Sequence, residues 1–142
     1  MNHEGGCHCG ALRYRLQWPD TQDPMPARRC TCAYCTRFNA AWTSHPGAEL
    51  VLGGPDAGQA RRYRFGTGTA DFIFCAKCGV TVAATCETDG GLRGIVNINT
   101  LDRVHELDFD RGDSDFEGES RDARLSRRKK HWIGSVRLEG FD

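Results

Sequence analysis

Residues 7–10 read CHCG and residues 75–79 read CAKCG, so each stretch holds a cysteine pair that is followed directly by a glycine. Glycine adopts positive φ readily, as a loop that curls around a metal ion requires. Two thiolate pairs far apart in a sequence complete a tetrahedral zinc site of the usual structural type. The spacing therefore favours one closed metal site that joins the N-terminal region to a later hairpin, with the ligands Cys7, Cys9, Cys75 and Cys78.

A third cluster, ARRCTCAYCT at residues 27–36, holds Cys30, Cys32 and Cys35. Three thiolates and an open fourth position are typical of a reactive zinc site rather than a structural one. Two alternatives stay open at this point. Cys86 would close the site if it supplied another thiolate, although a lone cysteine in an apolar run is more often a small buried hydrophobe. A histidine could close it instead, with His8 and His45 as the candidates.

Composition excludes several classes of protein. The 142 residues include 19 Lys and Arg and 19 Asp and Glu, so the formal net charge is zero. The chain therefore has no overall positive field that would attract a nucleic acid. Mean hydropathy is −0.56 and no apolar run approaches the length of a membrane span. The first residues lack the charged and apolar regions of a signal peptide, so we expect a cytoplasmic protein. In such a compartment, clustered cysteines point to metal binding rather than to disulfides.

Short segments with alternating apolar and polar residues, separated by Pro and Gly, predict one mostly antiparallel β domain. Residues 19–26 are rich in Pro and Asp and predict a turn-rich connection, as GTG at 66–68 predicts a hairpin turn. After Leu101 the acidic stretch predicts a loop, followed by a short helix at 120–130. The basic segment RLSRRKKHW is either a phosphate-binding patch or, as we favour, a solvated face paired with the acidic stretch. The predicted strands lie within residues 11–16, 40–45, 48–53, 60–66, 70–75, 79–85, 92–100 and 131–140.

The stretches GGCHCGALRYRL, CTCAYCTR, YRFGTGTADFIFCAKCGVTV and VNINTLD occur in an order and spacing that resemble the glutathione-dependent formaldehyde-activating enzyme family, which includes centromere protein V-like domains. The resemblance covers roughly residues 4–110 and leaves a tail at 111–142 without a counterpart. It implies a single zinc-binding domain over 1–142 with the Mss4-like fold, which consists of several curled antiparallel sheets with little helix. It also implies two zinc ions per chain: a structural one at Cys7, Cys9, Cys75 and Cys78, and a reactive one at Cys30, Cys32 and Cys35.

The resemblance further implies an enzyme. The family reaction adds the thiol of glutathione to formaldehyde and gives S-hydroxymethylglutathione, and its reverse is a carbon–sulfur lyase step. Three thiolates weaken zinc as a Lewis acid toward a neutral carbonyl, whereas coordination deprotonates a thiol outright. We therefore expect the three cysteines to be metal ligands and not nucleophiles. The alternatives are a non-catalytic zinc-stabilised module that contacts protein or nucleic acid, and, more weakly, a methionine sulfoxide reductase relative, whose cysteine pattern fits less well.

Glutathione carries two carboxylates, so a site for it should offer cations. Arg28, Arg29 and Arg37 flank the three-cysteine cluster, and Arg37 is the preferred contact. Asn97 alternates with Asn99 on one predicted strand, and both are expected to face the second metal site. Tyr34 either lines the pocket or packs in the core, and Phe38 and Trp42 are expected to pack. His3, His105 and His131 have no metal-ligand residues near them in the sequence, so we expect none of them to bind a metal. A homodimer is compatible with the sequence.

Overall fold

The computed structural model describes residues 1–141, which form two β-sheets and one α-helix. The smaller sheet has four strands in the order β1-β2-β5-β11. Its first three strands pair antiparallel, and β11 lies parallel to β5 at the edge. The bounds are β1 Asn2–Gly6, β2 Arg13–Gln17, β5 Glu49–Gly53 and β11 Ser135–Leu138.

The larger sheet has seven strands in the order β10-β3-β4-β9-β8-β7-β6. All neighbours pair antiparallel except β10 and β3, which are parallel. The prediction of a mostly β fold with little helix is therefore confirmed. The bounds are β3 Met25–Cys30, β4 Ala41–Thr43, β6 Ala60–Tyr63, β7 Ala70–Cys75, β8 Thr81–Thr88, β9 Gly91–Asn97 and β10 Phe109–Ser114, with helix α1 at Arg121–His131.

The two sheets share one apolar core. Leu16 of β2 and Leu50 of β5 are buried with Ile73 of β7 and Val96 of β9 in a single cluster of side chains. Arg15, which lies between two inward-facing residues of β2, is exposed. The period-2 alternation of the sequence therefore marks the buried face of the smaller sheet, because successive side chains of a strand point to opposite faces.

One sequence prediction about a connection is two residues too long, and another is wrong. The predicted turn at 19–26 ends earlier than expected, because β3 begins at Met25. The predicted acidic loop contains β10, where Asp110 and Asp113 form ion pairs with Arg28 and Arg29 of the parallel strand β3, at 3.1 Å each. Charge complementarity between neighbouring strands stabilises a segment whose own composition is unfavourable for a strand.

The tail folds against the rest of the chain. Helix α1 confirms the helix predicted at 120–130 to within one residue, and the Ser120 hydroxyl caps it by accepting a hydrogen bond from the amide of Ala123 (3.1 Å). The helix packs beside β8, and β11 then completes the smaller sheet. No helix within residues 1–141 combines the length and the apolar character that a membrane crossing requires.

Candidate metal centres and the cavity beside them

The first cysteine cluster brings together residues from two distant elements. Cys7 follows β1, and Cys75 is the last residue of β7. The Sγ atom of Cys9 lies 3.7 Å from Sγ of Cys7 and 3.7 Å from Sγ of Cys75, and the fourth sulfur, of Cys78, lies within 4.8 Å of all three. A tetrahedral zinc with Zn–S bonds of about 2.3 Å needs sulfurs about 3.8 Å apart. The residues present fit a four-thiolate zinc.

The backbone around this cluster suits bound thiolates. Gly10 and Gly79, which follow the two pairs, have φ values of +85° and +79°, as the sequence pattern predicts. The amide of Leu12 donates to Sγ of Cys7, and the amide of Lys77 donates to Sγ of Cys75, both at 3.3 Å. Such donors stabilise negative charge on sulfur and orient the ligands, which a structural metal site requires.

The second cluster lies at the junction of β3 and a short loop. Cys30 ends β3, Cys32 lies in the loop, and Cys35 opens a turn of 3₁₀ helix at Cys35–Phe38. Their sulfurs lie within 4.8 Å of one another, and within residues 1–141 this ligand group contains only these three residues. The amide of Cys35 donates to Sγ of Cys32 (3.3 Å). Three converging thiol groups on one side fit a zinc that keeps one coordination position for another ligand.

The candidates for a fourth protein ligand have other positions. His45 accepts a hydrogen bond from the amide of Gly47 at Nδ1 (2.9 Å) and packs edge-on against Trp18. His8 is exposed beside the other cluster. Cys86 is buried in β8, where its sulfur lies 3.5 Å from Nη1 of Arg128.

The thiols of the second cluster perturb one another. Interaction with the Cys35 thiol lowers the pKa of Cys30 to about 5, although partial burial acts in the opposite direction. Interaction with Cys30, followed by burial, raises the pKa of Cys35 well above its ordinary value. The two sulfurs therefore share protons as a unit. A group in which one sulfur loses its proton easily is a suitable starting point for metal binding, which requires deprotonated thiols.

The second cluster opens into a cavity of about 780 Å³, which lies within the usual range of small-molecule sites, roughly 300–1,000 Å³. One wall is the three-cysteine loop. The facing wall is the tail, namely residues 114–119 and one side of α1. The lining as a whole is rich in aromatic side chains: Tyr34, Trp42, Phe65, Phe72, Phe116 and Trp132.

Tyr34 both lines this cavity and packs. Its ring contacts Phe38, Phe65 and Phe72, with centroids 5.1, 5.0 and 4.9 Å away, and its hydroxyl shares a hydrogen bond with the hydroxyl of Thr81 (3.1 Å). Burial raises its pKa, so the phenol stays protonated at neutral pH. The three-cysteine loop is therefore held by an aromatic cluster on its inner side.

The predicted cationic contacts lie in different places. Arg28 lines the cavity and pairs with Asp110, whereas Arg29 pairs with Asp113. Arg37, the preferred candidate, is exposed, and its Nη1 donates to the carbonyl of Ala33 in its own loop. Arg37 does not belong to the cavity lining, because its turn directs it to the outside of the loop.

The two asparagines also lie outside the cavity. Asn97 is buried and donates from its amide to the carbonyl of Thr81 (3.0 Å), and its Oδ1 accepts from the amide of Asn99 (3.2 Å). Both residues line a second cavity of about 700 Å³, on the other side of Tyr34, which also reaches Cys78. The geometry thus gives Asn97 a role in holding β9 to β8.

The tail supplies functional candidates that the sequence interpretation missed. Arg124, Arg127, Arg128 and His131 all line the cavity. They recur at the i, i+3, i+4 and i+7 positions, the spacing that places residues on one face of a helix. That periodicity, read together with the predicted helix, is the signal that identifies them. The basic run is thus partly a cavity wall and not a wholly solvated face.

Comparisons with known proteins agree with this arrangement. The family description "Glutathione-dependent formaldehyde-activating enzyme" matches residues 2–113. A Halomonas elongata protein, provisionally named a glutathione-dependent formaldehyde-activating enzyme, is 47% identical over 34 residues, which are 24% of this chain and 20% of that protein. The match therefore spans only a fifth of that relative's length. The crystal structure of a Rhodobacter sphaeroides protein is similar with a TM-score of 0.51 and 29% identity, over 70% of this chain and 88% of the other.

The match covers most of the chain and includes all seven cysteines of the two clusters. The protein belongs to the glutathione-dependent formaldehyde-activating enzyme family. The match ends at residue 113, so the facing wall of the cavity, from Ser114 to Trp132, lies beyond it.

Proposed function

We propose that this chain is a carbon–sulfur lyase or synthase that acts on adducts of a thiol and an aldehyde, such as S-hydroxymethylglutathione. The single observation that carries the proposal is the position of the three-cysteine cluster, which opens into an aromatic cavity without a fourth ligand group among residues 1–141. A cluster with a purely structural role is normally closed by four ligands.

A zinc ion held by Cys30, Cys32 and Cys35 would bind a substrate thiol and favour its deprotonated form. In the synthase direction a C–S bond forms between the substrate sulfur and the aldehyde carbon, the C=O π bond breaks, and the aldehyde oxygen takes up the proton that the thiol loses. In the lyase direction the same bonds change in reverse. The cysteines of the chain remain ligands throughout.

The other residues of the cavity position the reactants. Phe65 and Phe72 stack against each other with their centroids 5.1 Å apart and, with Trp42, form a wall that excludes water from the bound adduct. The tail places three arginines in the lining, of which two pair with Glu119. The third supplies positive charge for a carboxylate of a substrate such as glutathione. Proximity of the two reactants in such a cavity is itself a source of rate enhancement.

The fit of each cluster to a metal supports two zinc ions per chain, one structural and one reactive. Seven free thiols in ligand clusters persist in a reducing compartment, which supports a cytoplasmic location. We also propose that the chain acts as one domain, because residues from both sheets and the tail share the core.

The alternative of a binding module with a basic tail has less support. Arg127 and Arg124 pair with Glu119, and Lys129 pairs with Asp89 at 2.8 Å, so much of the basic run is already neutralised within the chain. A nucleic-acid surface would need these cations free to contact phosphates.

The test is the exchange rate between formaldehyde and S-hydroxymethylglutathione, measured by NMR exchange spectroscopy with the zinc-loaded protein. The Cys32→Ser variant should lose about one of two zinc ions, keep its circular dichroism spectrum and lose the rate enhancement. Ala76→Ser, which places a serine in the four-cysteine loop without removing a ligand, is the control. An unchanged exchange rate in Cys32→Ser contradicts the proposal. It is also contradicted if added glutathione does not change the absorption spectrum of the cobalt-loaded protein.

A further inference from the structure

Arg128 of helix α1 lines the same cavity and is almost completely buried, with 6% of its surface exposed. A buried arginine is uncommon and is nearly always paired with a carboxylate. The neighbouring Arg124 and Arg127 follow this rule, because both lie beside Glu119. Arg128 does not.

None of the described side chains in contact with Arg128 carries a carboxylate. Its Nη1 donates to the hydroxyl of Thr69 at 2.7 Å and to Sγ of Cys86 at 3.5 Å, a weak acceptor, and its guanidinium lies 4.9 Å from the centre of the Trp132 ring. No carboxylate of residues 1–141 lies within 4.0 Å of it. Its buried Nε has no hydrogen-bond partner among the described residues.

This environment leaves a buried cation without a carboxylate partner among the described residues. Burial lowers the pKa of Arg128, because the charged form loses hydration, yet a guanidinium remains protonated at neutral pH. Thr69 and Trp132 fix its plane without neutralising it. A carboxylate entering the cavity would supply the missing charge and acceptors in the geometry that a guanidinium binds best.

The other arginines of the cavity lining already have carboxylate partners. Glu119 forms ion pairs with Arg124 and Arg127, and Asp110 forms an ion pair with Arg28. Asp115 and Glu117 are exposed at the margin, where solvent and salt screen their repulsion of an incoming anion. Arg128 is thus the one arginine of the described lining that lacks a carboxylate partner.

We propose that Arg128 is a specificity-determining residue that binds a carboxylate of the substrate, so that the cavity selects anionic thiols and their adducts over uncharged ones. This inference rests on the proposed function and adds to it the substrate class and the residue that recognises it. The residue belongs to the tail, beyond the part of the chain that matches the family. Substrate choice is accordingly a property of the tail, whereas metal binding is a property of the family core.

The test uses S-methylglutathione, which keeps both carboxylates of glutathione but has no free thiol, and its diethyl ester, which has no carboxylate. Isothermal titration of the zinc-loaded protein should show tenfold to a hundredfold weaker binding of the ester, which is about 1.4–2.7 kcal/mol, as expected for the loss of a hydrogen bond to a buried charge. Arg128→Gln should weaken binding of the acid by a similar factor and remove the preference over the ester. Lys130→Gln, which removes an exposed cation from the same helix, should bind the acid as the wild type does.

A merely structural role for Arg128 would weaken binding of acid and ester equally, and that result overturns the inference. Equal binding of acid and ester by the wild type overturns it without any variant. If Arg128→Gln does not fold, Arg128→Lys preserves the charge without the planar fork and should show an intermediate preference; full wild-type preference would contradict recognition by the guanidinium. Because S-methylglutathione does not react, binding can be measured even if the exchange reaction is absent, so the two proposals fail separately.

Discussion

The hydroxyls of Tyr34 and Thr81 share a hydrogen bond of 3.1 Å, which joins the loop of the three-cysteine cluster to the strand that follows the four-cysteine cluster. One side chain thus connects the structural surroundings of the two cysteine clusters. The ring of the same tyrosine separates the two cavities, since it lines both of them.

Tyr34→Phe should remove this hydrogen bond while the ring packing remains. We expect the free energy of unfolding to fall by about 1 kcal/mol, the usual contribution of one hydrogen bond, with both metal ions retained. Urea denaturation and metal analysis measure these quantities. Tyr63→Phe is the matched control, because the Tyr63 side chain is 47% exposed and should tolerate loss of its hydroxyl. A loss of metal from Tyr34→Phe would show that the hydroxyl is needed for metal binding and not only for the stability of the loop.

Cys75→Ser should prevent folding. Cys75 is fully buried at the end of β7, and a structural four-thiolate zinc contributes on the order of 10 kcal/mol, comparable to the whole stability of a domain. We expect loss of the β-type circular dichroism spectrum and of both metal ions. Cys86→Ala, which removes an equally buried thiol from outside the clusters, should cost only about 1 kcal/mol. A folded Cys75→Ser protein with one zinc would contradict a structural role for the first cluster.

Stability should depend on pH through Glu119. Hydrogen bonds from Arg127, at 3.1 Å from both Nε and Nη2, lower the pKa of Glu119 in the folded protein. A carboxylate with a lowered folded pKa stabilises the fold above its unfolded pKa, about 4.3, and loses that contribution as the pH falls through the folded value. The wild type should therefore exceed Glu119→Gln by about 1 kcal/mol at pH 7, with the difference shrinking below about pH 4.

Acid also releases zinc from the thiolates, but it does so in wild type and variant alike, so this effect cancels in the difference between the two proteins. The measurement is the difference in unfolding free energy between wild type and variant across the pH range. Glu117→Gln, at an exposed position of the same segment, should show no such difference. A wild-type advantage that persists unchanged at pH 3 would exclude Glu119 as its source.

Gly5→Ala should destabilise the protein through a steric clash. A Cβ atom at Gly5 would lie 2.3 Å from the carbonyl oxygen of Thr100 and 2.3 Å from the hydroxyl of Tyr14, both of them buried. Overpacking of this kind costs about 1–3 kcal/mol. Gly58→Ala, which meets no atom within 4 Å, should be neutral or slightly stabilising in the same thermal unfolding experiment. Equal melting temperatures for the two variants would show that β1 shifts to make room.

The cysteine clusters could be predicted from the sequence because their chemistry is local. Pairs such as Cys75 and Cys78 need only a tight turn with Gly79 at positive φ, and the sequence contains both. Most strands were predictable for a similar reason, since alternation is a property of each segment by itself. The helix at Arg121–His131 has a recognisable cap and basic end.

The failures concern features that depend on distant partners. Strand β10 has the sequence FDRGDS, which predicts a loop. It nevertheless pairs in parallel with β3, whose Arg28 and Arg29 form ion pairs with Asp110 and Asp113. Closeness in sequence to the cysteines favours Arg37, whereas the cavity takes its arginines mainly from a helix about ninety residues further along the chain. Which of those arginines lacks a carboxylate depends on the position of Glu119 in three dimensions, which no local pattern specifies.

The two parallel pairings, of β10 with β3 and of β11 with β5, have a consequence for biosynthesis. During translation, β3 keeps an open hydrogen-bonding edge until β10 is made, and β5 keeps one until β11 is made. Unpaired strand edges can form hydrogen bonds with strands of other chains. Pairing between strands that are far apart in the sequence is also slow to form. The late strands β10 and β11 therefore protect two earlier strands from pairing with other chains.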